Sequence, residues 1–182
     1  MLLEKLGIES IDAGFAATSI EERNSIREIS EAGLNMRIMS MCRVVREDID
    51  YALSCKVNGV ILFIPGSDIH IKAKFGSDIK RERDKLIQKA IDSIKYAKDR
   101  GLQVEFGVED SSRTDFDVLL EILSKAEEAG ADWLGTTDTV GYLTPERTYE
   151  FIKKLVDNLN RPVGVHCHND FGLSLIHISE PT

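Results

Sequence analysis

The chain has 182 residues, 42% of them hydrophobic and 30% charged, with a formal net charge of −8. That length suits one ordinary domain, and the acidic balance argues against nucleic acid or an anionic membrane as a partner held by bulk electrostatics. No apolar run approaches the roughly 20 residues of a spanning helix, nothing at the N-terminus reads as a secretory signal, and Cys42, Cys55 and Cys167 are too far apart for a disulfide framework or a zinc ribbon. A reduced, cytoplasmic protein is the expectation.

Elements follow one another with a clear rhythm. After a helical tail at residues 1–6, Gly7 leads into a short apolar run at 8–13. Ser19 with Glu22 then forms a capping-box pattern ahead of a helix. Gly33 opens a strand at 34–41, Gly59 one at 60–64, Gly101 one at 102–106 and Gly130 one at 131–134; Pro162 opens the last. A glycine just past a helix is the usual left-handed stop. The intervening segments repeat at helical spacing: Ile87, Ala90, Ile91, Ile94 and Ala97; Leu119, Ile122, Leu123 and Ala126; Ile152, Leu155, Val156 and Leu159. Thr144-Pro145 supplies an N-cap and a first-turn proline.

Six near-continuously apolar strands with five complete helices between them imply βαβ units and a parallel sheet. An open doubly wound sheet and part of a (β/α)8 barrel both fit this pattern. A full barrel takes about 250 residues, so six units in 182 residues point to an incomplete TIM barrel. No glycine-rich phosphate loop follows any strand, which weakens the dinucleotide-fold reading.

Either architecture binds ligands at the carboxyl ends of its strands. The polar residues fall there: Asp12; Cys42-Arg43; Ser67-Asp68-Ile69-His70; Glu109-Asp110-Ser111-Ser112-Arg113-Thr114; Asp138-Thr139-Val140-Gly141-Tyr142; and His166-Cys167-His168-Asn169-Asp170. Taken singly, most have bland readings. His70 is a lone strand-end histidine, Asp138 a loop cap, Glu109 a partner for Arg113 and Arg43 a partner for Glu47. The histidine pair is different. Side chains at i and i+2 of a strand share a face, and two imidazoles buried side by side need a ligand or partners to offset desolvation. His166 and His168 therefore read as two ligands of a metal, with Cys167 facing away.

The segments Ser67-Asp68-Ile69-His70-Ile71-Lys72, Glu109-Asp110-Ser111-Ser112-Arg113-Thr114-Asp115, Asp138-Thr139-Val140-Gly141-Tyr142 and His166-Cys167-His168-Asn169-Asp170-Phe171-Gly172 resemble the isopropylmalate synthase/homocitrate synthase family. These are the acyl-CoA-condensing members of the pyruvate carboxyltransferase-like, HMG-CoA-lyase-like TIM barrels. The resemblance runs from about residue 1 to Gly172. It implies a Claisen condensation of acetyl-CoA with a 2-oxo acid, followed by thioester hydrolysis, with a divalent Mg²⁺, Mn²⁺ or Zn²⁺ polarising the keto group. It further implies His166 and His168 as metal ligands, Glu109 as catalytic acid/base or orienting carboxylate, Thr139 as hydrogen-bond donor to the oxo-acid carboxylate, and Arg43 and His70 as substrate-binding residues of the same rim. Family members are usually homodimers. The neighbouring possibility is a lyase or aldolase of the same superfamily, of HMG-CoA-lyase type; Asn-Asp-Phe-Gly after His168 favours the synthase branch. Neither Ile61 nor Glu105 is an obvious carboxylate clamp, which argues mildly against a dicarboxylic substrate.

The resemblance also implies what is missing. The Arg-Asp-Gly motif of the family's first strand has no counterpart, nor does the asparagine ligand from beyond the His-x-His strand. The expected fold is thus about six of eight strands, lacking strand one and the last strand, over residues 1–172. Residues 173–182, from Leu173 to Thr182, resemble translated sequencing-adapter read-through, and His177 then carries no meaning. A chain so truncated is expected not to turn over.

Overall fold

A computed structural model describes residues 2–172. Its strands are β1 (Ser10–Asp12), β2 (Arg37–Arg43), β3 (Gly59–Pro65), β4 (Gln103–Glu109), β5 (Trp133–Asp138) and β6 (Val163–Cys167). They form one sheet in the order β1-β2-β3-β4-β5-β6, every neighbouring pair parallel. This order decides between the two architectures. A doubly wound sheet reverses its strand order at a switch point and carries helices on both faces. Here each crossover steps the same way, so the helices line one face and the sheet curls around the other as an incomplete barrel. The expected tail at 173–182 lies outside the described residues.

The helices are α1 (Leu2–Lys5), α2 (Ile20–Ser30), α3 (Arg46–Ser54), α4 (Asp68–Phe75), α5 (Ile79–Lys98), α6 (Phe116–Ala129) and α7 (Pro145–Val156). Local chemistry explains their ends. Ser19 Oγ accepts the Glu22 N–H at 3.1 Å, and Thr144 Oγ1 accepts the Arg147 N–H with Pro145 in the first turn. Asp115 caps α6 by accepting from Asp117 and Val118, and Gly130 stops it at φ 106°, a conformation that a side chain would strain.

Alternation along the strands separates core from interior. On β4, Val104, Phe106 and Val108 are fully buried and point outward, whereas Gln103, Glu105, Gly107 and Glu109 point inward and are only partly covered. The strand is therefore alternating, not continuously apolar as expected. The outward set, with Val60, Leu62 and Ile64 of β3, packs in one core with Leu86, Ile87, Ala90, Ile94 and Ala97 of α5 and Leu119, Ile122, Leu123 and Ala126 of α6. Each large side chain so buried contributes roughly 1.5–3 kcal/mol. Among the described residues no helix is long and apolar enough to cross a membrane.

Several expectations are corrected. The connection from β3 to β4 holds two helices, so the five connections carry six helices, not five. Residues 68–75, which no predicted helix covers, form α4, with Ser67 Oγ accepting the His70 N–H at 3.2 Å; Ile69 and Ile71 lie two apart and only Ile71 is buried, so no helical period marks it. β1 is confined to three residues, Ser10, Ile11 and Asp12, which pair in register with Arg37, Ile38 and Met39 of β2. Val156 is 53% exposed: α7 packs on the sheet through Leu155, and among the described residues nothing covers its far side.

Candidate functional site

The inner face of the curled sheet encloses a cavity of about 480 Å³. Its width comes from one rung of the sheet. Gly107, Gly135 and Gly164 are direct neighbours on β4, β5 and β6, and all three line the cavity. Three missing side chains leave the centre of that rung open, where a complete barrel ordinarily packs layers of bulky residues. Glu105 lies below the rung and Glu109 above it; Ile61 and Phe63 of β3 and Met41 of β2 supply an apolar wall, and Asp12 at the end of β1 faces β6 across the opening.

His166, near the end of β6, and His168, just past it, both line this cavity. Their ring centroids are 5.2 Å apart with the planes at 64°, so the same-face expectation is met. Their burial is not. Both residues are exposed, because among the described residues no strand pairs with the outer edge of β6. The desolvation argument for a metal is therefore weaker than the sequence suggested. Partial burial and then the neighbouring His168 hold the His166 imidazole below its usual range, against the pull of the Asp12 carboxylate. A neutral imidazole is the form that ligates a metal. The two rings fit as a pair of donors to a divalent ion; among the described residues no set of three His, Cys, Asp or Glu side chains could hold one.

Acids on the inner face are perturbed in the opposite sense. Burial, followed by the charge on Asp12, raises the Glu105 carboxyl above its ordinary range. Burial likewise raises Asp12, although the Gly14 N–H, donating to its Oδ1 at 3.0 Å, opposes the shift. Desolvation disfavours the charged form, so both carboxyls keep their protons to higher pH than exposed ones.

Glu109 occupies the last position of β4. Lys74 Nζ lies 3.2 Å from its Oε2 and His70 Nε2 lies 3.9 Å from the same atom. Its expected partner, Arg113, goes elsewhere: the guanidinium grips Asp110 through Nε at 2.7 Å and Nη2 at 2.9 Å. The reason is the backbone of Asp110, at φ 60°, which reverses the chain so that Asp110 meets Arg113 while Glu109 stays over the cavity. Thr139 also lines the cavity, and its Oγ1 accepts the Asp110 N–H at 2.8 Å. Asp138 behaves as the loop cap the sequence allows, accepting from the Leu143 N–H at 2.9 Å and from Ser112 Oγ at 2.7 Å.

Arg43 and His70 are not among the cavity-lining residues. His70 stands behind Glu109 on α4. Arg43 lies against Asp48, with Nε and Nη2 both at 2.8 Å from its carboxylate; Glu47, the partner expected from spacing, accepts from the Tyr51 hydroxyl instead. The sequence reading brings His166, His168, Glu109 and Thr139 to one cavity. It places Asp12 and Asp110 at the rim without giving either a role, and sets Glu105 aside. The signal for Glu105 was available in the alternation Glu105-x-Gly107-x-Glu109, which puts both carboxylates on one face.

Residues 1–176 match the HMGL-like family. The chain is 43% identical over 172 residues to the (R)-citramalate synthase CimA of Methanocaldococcus jannaschii, a match covering 94% of this chain and 34% of that protein. It is 42% identical over 174 residues to the homocitrate synthase AksA of Methanopyrus kandleri, covering 96% of this chain and 43% of that one. The chain thus spans well under half the length of either synthase. Its fold is similar to that of the HMG-CoA lyase from Brucella melitensis, with a TM-score of 0.75 at 16% identity over 97% of this chain and 66% of the lyase. At that identity the likeness speaks for the barrel alone.

Proposed function

Because the chain belongs to the HMGL-like family, we propose that it is the part of a metal-dependent acyltransferase that binds a 2-oxo acid and condenses it with acetyl-CoA, the thioester then being hydrolysed. The observation that carries this reading is the convergence of His166, His168, Glu109 and Thr139 on one cavity at the carboxyl ends of the strands. The 42–43% identity to a homocitrate and a citramalate synthase supports condensation over cleavage.

His166 and His168 would hold the divalent ion, the rest of its coordination coming from outside the described residues. When bound, such an ion supplies Lewis acidity to a keto oxygen. Thr139 donates its hydroxyl proton to the carboxylate of the oxo acid. The glycine rung leaves room for the body of the substrate, and Ile61 and Phe63 give its side chain an apolar wall. Glu109 takes or returns the proton that moves between the acetyl methyl and the enzyme, and the Lys74 ammonium at 3.2 Å orients that carboxylate. Arg43 and His70 act, in this reading, on parts of the ligands that project past the rim. The cytoplasmic setting expected from three scattered thiols goes with a biosynthetic synthase, and the whole enzyme would be a homodimer. The 182-residue chain alone would not turn over.

The test uses the complete reading frame that contains this chain. Incubated with acetyl-CoA, Mn²⁺ and in turn pyruvate, 2-oxoisovalerate and 2-oxoglutarate, it should release CoA thiol with at least one of them, together with the matching hydroxy acid. Release that requires no 2-oxo acid, or no release with any, would overturn the reading.

A further inference from the structure

The rim contains a carboxylate that the chemistry above does not use. Asp110 is fully buried and its backbone stands at φ 60°, ψ 35°, a left-handed conformation uncommon outside glycine. Its carboxylate accepts the Ser67 hydroxyl and both Nε–H and Nη2–H of Arg113. Its backbone N–H donates to Thr139 Oγ1 at 2.8 Å, and its carbonyl accepts the Thr114 hydroxyl at 2.8 Å. One residue therefore links the end of β3, through Ser67, the end of β4, through itself, and the end of β5, through Thr139. The residue before it is Glu109.

A threonine hydroxyl carries one proton and two lone pairs. The Asp110 N–H occupies an acceptor position of Thr139, and among the described residues no acceptor takes the Thr139 proton. That proton is left to donate into the cavity.

We infer that Asp110 is a positioning residue: its clamped carboxylate holds the left-handed turn that keeps Glu109 over the cavity and sets the Thr139 hydroxyl as a donor toward an oxygen bound there. The inference rests on the proposed 2-oxo-acid site and adds that its base and its carboxylate donor are set by the same buried group. Glu109 and Thr139 touch the ligand; Asp110 acts through them.

Two substitutions separate the carboxylate from the turn. Asp110→Gly keeps a residue that adopts the left-handed conformation freely but removes the clamp. Asp110→Asn keeps the size, yet it has one acceptor oxygen for three donors and turns an NH2 toward Arg113. Hydrogen exchange on the complete enzyme reads the geometry without any assay of function. The amide of residue 110 should exchange about tenfold faster, beyond whatever protection the Val104 amide at the lower end of the sheet loses through lowered global stability, in both variants and in Thr139→Val. Wild-type exchange at residue 110 in Asp110→Gly and Asp110→Asn would overturn the inference. In the complete enzyme, Asp110→Gly should raise the KM for the 2-oxo acid about tenfold and leave that for acetyl-CoA within about twofold; equal shifts in both would mean general loosening and would also overturn it. A wild-type enzyme that releases no CoA sinks the functional reading, and the exchange result still decides the role of Asp110 in the rim.

Discussion

At the N-terminal ends of the strands, Asn58 and Asp132 bridge neighbours. Asn58 Oδ1 accepts the Ile38 N–H at 2.7 Å while its backbone pairs with both β2 and β4. Asp132 accepts the Val104 N–H at 2.8 Å and the Lys98 ammonium at 2.7 and 2.9 Å. At the C-terminal ends, Asp110 bridges three strands in the same manner. The difference lies in what stands beside each bridge. The residues flanking Asn58 and Asp132 in the chain, Val57, Gly59, Ala131 and Trp133, carry no carboxylate. Next to Asp110 stands Glu109, and facing it across the cavity are Asp12 and the histidine pair. A polar residue at the lower end secures the sheet; at the upper end a securing residue is paired with one left available to a ligand. This is the division expected of a barrel, whose conserved lower face reads as stability and upper face as chemistry.

That contrast can be broken by substitution. The largest loss of stability should follow Asp110→Ala, which strands Arg113 and Ser67 together: about 2–4 kcal/mol by urea unfolding. Asp132→Ala should cost somewhat less, about 1.5–3 kcal/mol, because Lys98 is partly exposed and returns to water. If Asp132→Ala also accelerated exchange at the Asp110 amide, the two ends would not be independent. Glu105→Gln should do the reverse and stabilise. The folded-state pKa of Glu105 lies above the ordinary 4.5, so the folded chain binds the extra proton and loses stability as pH rises through the folded value. The variant should melt roughly 2–4 °C higher at pH 7, with the gain gone below about pH 4.5; an equal gain at both pH values would mean that packing, not charge, was relieved. Smallest of all, Lys153→Ala removes a pair with Asp157 that is exposed on both sides, and it should leave the urea midpoint unchanged within experimental error.

What the amino-acid order revealed was local or periodic. Ser19 and Thr144 mark helix starts because a cap acts within three residues. Leu119, Ile122, Leu123 and Ala126 mark the buried face of α6 because all four meet the sheet. His166 and His168 share a face because a strand alternates. What stayed hidden depends on neighbours distant in sequence or on a backbone reversal. Spacing allows Arg113 to pair with Glu109 or with Asp110, and only the left-handed turn chooses. Arg43 passes over Glu47 for Asp48, since a helix starting at Arg46 turns the one outward and buries the other. The exposure of the histidine pair reflects what stands beside β6, which no reading of β6 alone contains.

The central claim is that chemistry belongs to the upper end of the sheet and stability to the lower. Turnover of the complete enzyme, measured for Glu109→Gln and Asp132→Asn below both melting temperatures, tests it most directly. The account predicts that Glu109→Gln melts near the wild type yet loses on the order of 10²–10⁴-fold in kcat, while Asp132→Asn melts lower at nearly unchanged kcat. Glu109→Gln turning over within a few-fold of wild type would contradict it.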